Sequence, residues 1–194
     1  MAVPSPSPSL KSALRARALS ARRAFAATLD GEHRSALEAD LAAIVKPHLR
    51  DARIVALYHA VRDEISPQLI ADHLSAEQRS VLPWFADRES LMLFREGPAV
   101  EDGPWRIPQP PSGAQLLVPD LLLVPLVQVD RHGTRIGQGK GHYDRVLADL
   151  RASGPVRTIG IAWDVQISDG TIPADPWDVP LDAIATPTRW IDCR

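Results

Sequence analysis

The sequence contains a single cysteine, Cys193, beside the last of its 194 residues. A lone cysteine excludes an intrachain disulfide and a thiolate metal cluster, and it agrees with a reducing compartment. Long apolar runs are missing too, since none approaches the roughly 20 residues that span a bilayer as a helix. The first residues are Pro/Ser-rich and then Arg-rich, without the apolar stretch of a secretory signal. Charge of either sign is nearly balanced, at a net −2. A general nucleic-acid binder carries a strongly basic face, so that class is disfavoured. There is no G-x-S-x-G turn, and no covalent nucleophile is evident elsewhere. No segment repeats. The expectation is a cytoplasmic protein with neither membrane nor nucleic acid as partner.

What is present suffices for one sizeable core. Hydrophobic residues make up 45% of the chain, too short a length for two ordinary domains. A disordered Pro/Ser tail over residues 1–9, with Pro4, Pro6 and Pro8 alternating with serines, precedes a single domain over residues 10–194. Ser9 is placed to cap a helix whose apolar side uses Leu10, Ala13, Leu14, Ala21 and Phe25. Lys11, Arg15, Arg17, Arg22 and Arg23 cluster there, either as a solvated helix face or as a functional one, with Lys11 and Arg15 on the same side. No acid occurs before Asp30, a composition that a transit peptide also shows. A second helix through Leu37, Leu41, Ile44 and Val45 should stop near Pro47.

Beyond Arg53 the rhythm becomes that of strands: IVALY, SVLPW, LMLF, LLLVPLVQV, RTIGIAW and AIATPTRWI, with helical stretches at Pro67 to Leu74 and from Tyr143 to Leu150. Between Gly97 and Gly113 the density of proline and glycine demands an irregular loop, and long ordered loops are often functional. Alternating strands and helices imply crossover units. The expected fold is α/β: a single three-layer, Rossmann-like domain with a mainly parallel central sheet and helices on both faces.

The densest stretch of chemistry is RIGQGKGHYDR, Arg135 to Arg145. Gly137, Gly139 and Gly141 remove every second Cβ, so backbone N–H groups can approach a ligand. Arg135 and Lys140 add the charge that phosphate needs, and the loop opens into a helix N-terminus, which favours an anion. Three glycines also shape a tight turn, and the G-x-G-x-G spacing matches neither the dinucleotide fingerprint nor the P-loop.

With its flanks, VPLVQVDRHGTRIGQGKGHYDRVL, Val124 to Leu147, the loop closely resembles the signature of the 5-formyltetrahydrofolate cyclo-ligase family. The likeness extends from Lys11 to about Thr186 through dispersed motifs. It implies that Lys11 and Arg15 hold nucleotide phosphates, which places the basic helix in the mature enzyme. YHAVRDEIS resembles the family segment whose glutamate contacts the folate, here Glu64, and GPWRIPQP resembles the loop that sets an aromatic, Trp105, near its ring system. Arg135, Gly137, Gln138, Gly139, Lys140, Gly141, His142 and Tyr143 would serve ATP, with Gln138 and His142 also facing the folate. Asp144, and Asp178 within PADPWDVPLD, resemble ligands of Mg²⁺. As a residue in the first turn of a helix, Asp144 is also a simple partner for the dipole. Where the family usually has two tyrosines before this aspartate, the first is His142. Asp130 is read as loop structure, Gln166 as a weaker nucleotide or folate candidate, and Trp84, Trp163, Trp177 and Trp190 as packing residues.

The implied activity is ATP-dependent closure of 5-formyltetrahydrofolate to 5,10-methenyltetrahydrofolate, with Arg135 and Lys140 as catalytic cations and the chain acting as a monomer. A nucleotide- or folate-binding regulatory protein without turnover is the competing reading.

Overall fold

The computed structural model describes residues 8–193. Four α-helices, α1 (Pro8–Ala26), α2 (Gly31–Val45), α3 (Gln68–Ala71) and α4 (His142–Ser153), are interleaved with eleven strands among the described residues. These are β1 (Ile54–Ala56), β2 (Arg79–Trp84), β3 (Leu93–Glu96), β4 (Glu101–Asp102), β5 (Pro108–Gln109), β6 (Leu121–Pro125), β7 (Gln128–Val129), β8 (Arg135–Ile136), β9 (Arg157–Ile161), β10 (Ala183–Ala185) and β11 (Trp190–Asp192).

Seven strands form the central sheet, in the order β11-β10-β9-β6-β1-β2-β3. The interior pairings are parallel, and β3 and β11 close the two edges antiparallel. Leu121, Leu122, Leu123 and Val124 of β6 are all buried because the strand is covered on both sides. Alternation splits them: Leu121 and Leu123 join the core formed with Leu41 and Val45 of α2, whereas Leu122 and Val124 join the core formed with Val146 and Leu147 of α4. The α/β architecture with helices on both faces is therefore present.

Local chemistry explains the helix boundaries. The Asp30 side chain accepts from the His33 N–H at 2.8 Å and caps α2, and the helix gives way to a 3-10 turn, Lys46–His48, at Pro47. The first helix begins at Pro8, so Pro8 and Ser9 belong to it and not to the tail, and Ser9 lies in the first turn instead of preceding it. The tail ahead of Pro8 lies outside the described residues.

Two strand readings and one loop reading change. The run LLLVPLVQV is not one strand: β6 ends at Pro125, and the chain then forms the β7/β8 hairpin, which carries the glycine loop. AIATPTRWI splits into β10 and β11, which pair antiparallel across the intervening proline turn. The segment between Gly97 and Gly113 contains the small β4/β5 pair.

The strand order reverses beside β1. From β1 the crossover leads to β2 on one side, whereas β6 is followed by β9 on the other. Connections that diverge in this way leave a crevice outside the carboxyl ends of β1 and β6, the usual place for a ligand in an open α/β sheet.

Candidate active site

Two cavities occupy that crevice. One, of about 500 Å³, is walled mainly by Tyr58, Leu82, Phe85, Met92, Trp105 and Ile107. The other, of about 520 Å³, is lined by Lys11, Arg15, Arg135, the glycine loop, Asp144 and Asp178. Gln138, Lys140, His142 and Tyr143 line both, so the loop's second half is their common wall.

The apolar cavity is framed by aromatic rings. Phe85 and Trp105 meet edge-on with centroids 5.3 Å apart, and His142 lies 5.0 Å from Phe85 and 5.2 Å from Trp105. Trp105 has a left-handed backbone (φ 63°, ψ 14°), and Arg106 follows it at φ 58°. Such conformations cost non-glycine residues and persist only where the surroundings enforce them. Here backbone bonds close the turn, from the Gly103 N–H to the Ile107 carbonyl at 3.0 Å and from the Arg106 N–H to the Gly103 carbonyl at 3.1 Å, and the Gln109 side chain braces it against β2 by accepting from the Phe85 N–H and donating to the Phe85 carbonyl, both at 3.1 Å. Gly103 supports this brace, because a Cβ there would lie 2.4 Å from Gln109 Oε1.

The floor of this cavity is charged but internally matched. Buried Arg22 of α1 donates to Asp63 Oδ2 at 2.8 Å and to the Leu126 carbonyl at 3.2 Å, with Glu64 Oε1 3.6 Å away. Glu64 Oε2 accepts from the Val61 N–H at 3.0 Å. Burial nevertheless holds the Glu64 carboxyl above its ordinary range, against the Val61 N–H, Arg22 and the Gln138 amide, which pull it down. The buried Tyr58 hydroxyl donates to the Ile65 carbonyl at 2.6 Å.

The polar cavity joins four parts of the chain. Lys11 of α1 reaches Asp175 Oδ2 at 2.5 Å and Asp178 Oδ2 at 2.6 Å. Burial lowers its pKa, but the two carboxylates more than offset this and leave it raised. Arg15 donates to the Gly137 carbonyl at 2.8 Å. Arg135 is buried, donating to Asp144 Oδ1 at 2.6 Å and also to the Val179 carbonyl. Lys140 is exposed and its ammonium has no partner among the described residues. Gly139 and Gly141 have positive φ, of 88° and 67°, and Gly141 starts α4 without a side-chain cap.

Every expected site residue thus lies in or beside the crevice, but their states differ. Asp144 and Asp178 are engaged by Arg135 and Lys11, respectively, each through one oxygen, while Asp144 Oδ2, Asp178 Oδ1 and Asp175 Oδ1 accept no hydrogen bond among the described residues. An all-oxygen donor set of this kind suits Mg²⁺, which takes one or two carboxylates and completes its shell with water and phosphate. No group of three or more His, Cys, Asp or Glu side chains among the described residues forms a closed metal cage.

Two readings are corrected. Gln166 is buried and structural, donating to the Leu126 and Val127 carbonyls and accepting from the Trp163 N–H. Trp177 is not a packing residue: it is 67% exposed and lines the polar cavity. Asp130 is loop structure, accepting from the N–H groups of His132, Thr134 and Ile172. Phe85, Asp175 and Arg22 were not singled out as site residues. Asp175 could have been found as the partner three residues before Asp178, but nothing local marks Phe85.

Comparison with known proteins bears on the family and the fold. The family model described as the 5-formyltetrahydrofolate cyclo-ligase family matches residues 8–187. A 5-formyltetrahydrofolate cyclo-ligase of Mycoplasma pneumoniae is 33% identical over 178 residues, covering 90% of this chain and 96% of its own. The match to the Escherichia coli K12 cyclo-ligase is local, with 39% identity over 70 residues that span 36% of this chain and 37% of that enzyme. Among solved structures, Aquifex aeolicus 5,10-methenyltetrahydrofolate synthetase superposes with a TM-score of 0.76 at 27% identity, covering 95% of this chain and 93% of that one. The Mycoplasma pneumoniae synthetase gives 0.66 at 26% identity, covering 95% and 99%. The glycine loop, the seven-stranded sheet and these matches across nearly the whole length together place the chain in the 5-formyltetrahydrofolate cyclo-ligase family.

Proposed function

We propose that the chain closes 5-formyltetrahydrofolate to 5,10-methenyltetrahydrofolate at the expense of ATP, with the folate in the apolar cavity and the nucleotide's phosphates in the polar one. The observation that carries this reading is the wall common to the two cavities, because a phosphoryl transfer between substrates needs their reacting atoms to touch.

A formamide is a poor electrophile, since its nitrogen donates into the carbonyl and its oxygen is a bad leaving group. In the proposed sequence the formyl oxygen attacks the γ-phosphorus and ADP leaves, giving an iminium phosphate. The neighbouring folate N–H nitrogen then adds to the formyl carbon, closes the five-membered ring and loses its proton to the phosphate group or to water. Departure of inorganic phosphate with its electron pair completes the methenyl product. No protein nucleophile takes part, so the residues contribute alignment and charge. Lys140 has its ammonium free for the transferring group, while Lys11, Arg15 and the N–H groups of the glycine loop hold the remaining phosphates. Arg135 fixes Asp144 beside them. Asp144 and Asp178 would hold Mg²⁺, whose contribution is to neutralise phosphate charge. Trp105 offers a face to the flat pterin, Glu64 accepts a pterin N–H, and Gln138 and His142 reach both substrates. Exposed Trp177 offers a platform to the nucleotide base.

In this reading the working unit is a monomer. The lone cysteine supports a cytoplasmic setting, and no described helix is long and apolar enough to cross a membrane.

The test is absorbance of the methenyl product with and without ATP, followed by a single turnover with the formyl oxygen isotopically labelled. ATP-dependent product with label in inorganic phosphate is expected. Folate binding without ATP consumption would select a regulatory protein instead, and label in bulk water would overturn the direct transfer.

A further inference from the structure

Three buried side-chain polar atoms have no hydrogen-bond partner among the described residues: Trp84 Nε1, Arg95 Nε and His142 Nε2. The first two belong to one stacked pair on β2 and β3, with the Arg95 guanidinium carbon 4.3 Å from the Trp84 ring centre. The third stands in the wall between the two cavities.

Its neighbours decide what it is. Arg145 Nη2 lies 3.0 Å from His142 Nδ1. A guanidinium has donors and no acceptor, so Nδ1 must receive this bond through its lone pair. The ring proton of a neutral imidazole is then on Nε2, and the orphaned atom is a hydrogen-bond donor. Arg145 is itself anchored, with Nη1 donating to the Lys140 carbonyl at 3.1 Å. A Cβ at Gly141 would come within 3.3 Å of that same nitrogen, so the glycine leaves room for the anchor. Phe85 and Trp105, with centroids 5.0 and 5.2 Å from the imidazole, restrict how the ring can turn. The tautomer and the ring orientation are therefore both set by the protein, for a donor that the protein does not use. A buried donor without an acceptor is unfavourable, and such groups call for a specific explanation.

We propose that His142, held as the Nε2–H tautomer by Arg145, donates a hydrogen bond to a substrate oxygen where the two ligands meet, and that Arg145 is a positioning residue for it. This rests on the two-substrate reading given above. Phe85 and Trp105 flank the imidazole, and a bound substrate supplies the missing acceptor. Two oxygens qualify: the formyl oxygen of the folate and an oxygen of the terminal phosphoryl group. Both are acceptors of the same chemistry. A bond to either orients the transfer without moving a proton.

Imidazole ¹⁵N resonances of the wild-type protein, with His142 assigned by its loss in His142→Phe, should show the Nε2–H form, and Arg145→Met should convert it to a mixture of tautomers. Addition of 5-formyltetrahydrofolate alone, or of the non-hydrolysable imido analogue of MgATP alone, should shift the Nε2 signal. The ligand that does so identifies the oxygen. In turnover, His142→Phe should lower kcat by about tenfold or more, with smaller changes in the KM values. His142→Gln, which returns an amide N–H to a similar reach, should recover part of the loss. An Nδ1–H tautomer in the wild type, a signal that neither ligand moves, or an undiminished kcat in folded His142→Phe overturns the proposal while leaving cyclo-ligase activity in place. If the wild type turns nothing over, the assigned function falls, and the tautomer and ligand-shift measurements still decide the role of His142.

Discussion

In the apolar cavity the buried cation Arg22 is matched within the protein, held between Asp63, Glu64 and a backbone carbonyl. In the polar cavity the charged groups are the working surface, and several of them are paired with each other: Lys11 with Asp175 and Asp178, Arg135 with Asp144. The first arrangement keeps its partners when a flat ring enters. The second must exchange partners when phosphate and Mg²⁺ arrive, because the same lysine cannot bind two carboxylates and a phosphate with undiminished strength. Lys140, which has no partner to give up, is the exception.

The largest effects should come from testing that exception against Arg135. Lys140→Ala should weaken ATP use roughly ten- to more than a hundredfold, the value of a lost charged hydrogen bond, with the midpoint of urea unfolding unchanged. Arg135→Ala should lower ATP use and also cost about 1.5–3 kcal/mol of stability, since its bonds to Asp144 and Val179 go with it. ATP kinetics and urea unfolding on both variants separate the two roles. Equal stability losses would erase the distinction between a free and a structural cation. A smaller effect is expected of Asp144→Asn, which keeps shape but loses charge. Activity should then need about tenfold more Mg²⁺, and an unchanged magnesium titration would leave Asp144 only as the partner of Arg135 and of the helix dipole.

The smallest effect concerns the apolar cavity. Burial raises the Glu64 carboxyl, so the folded protein keeps that proton to higher pH than the unfolded chain does. Its contribution to stability is greatest below the ordinary carboxylate pKa and is lost as pH rises through the raised value. Glu64→Gln removes this loss. The stability difference between variant and wild type should therefore shift in favour of the variant from acid to neutral pH, while folate turnover falls. Urea unfolding at the two pH values reads it, and a difference independent of pH would show that burial does not govern this group.

Much of the polar cavity was legible in the sequence because glycines, cations and acids occur there within one short segment. Lys11 and Arg15 are distant in sequence, and helical spacing put them on one face, but their opposite partners needed the resemblance or the fold. The apolar cavity was harder to read. An aromatic residue in a single sequence carries no sign of whether it packs or faces a ligand, so the sequence does not distinguish exposed Trp177 or cavity-lining Phe85 from core residues. The strand readings failed where an apolar run concealed a change of direction, as at Pro125, because hydrophobicity reports burial and is silent about the path of the chain. The left-handed backbone of Trp105 belongs to a turn closed by Gly103, Arg106 and Ile107, and no propensity of tryptophan announces it.

The first helix is tied to the crevice by Lys11, Arg15 and Arg22, and the partners of these residues lie far along the chain. Lys11 and Asp178 are 167 positions apart, and Arg15 and Gly137 are 122 apart. During synthesis this helix precedes its carboxylate partners by more than 160 positions and must wait for them to emerge. Contacts of such separation are slow to form because a long intervening loop has to close. Assembly of the phosphate site therefore has to await synthesis of every strand from β1 to β9, all of which lie between the helix and its carboxylate partners.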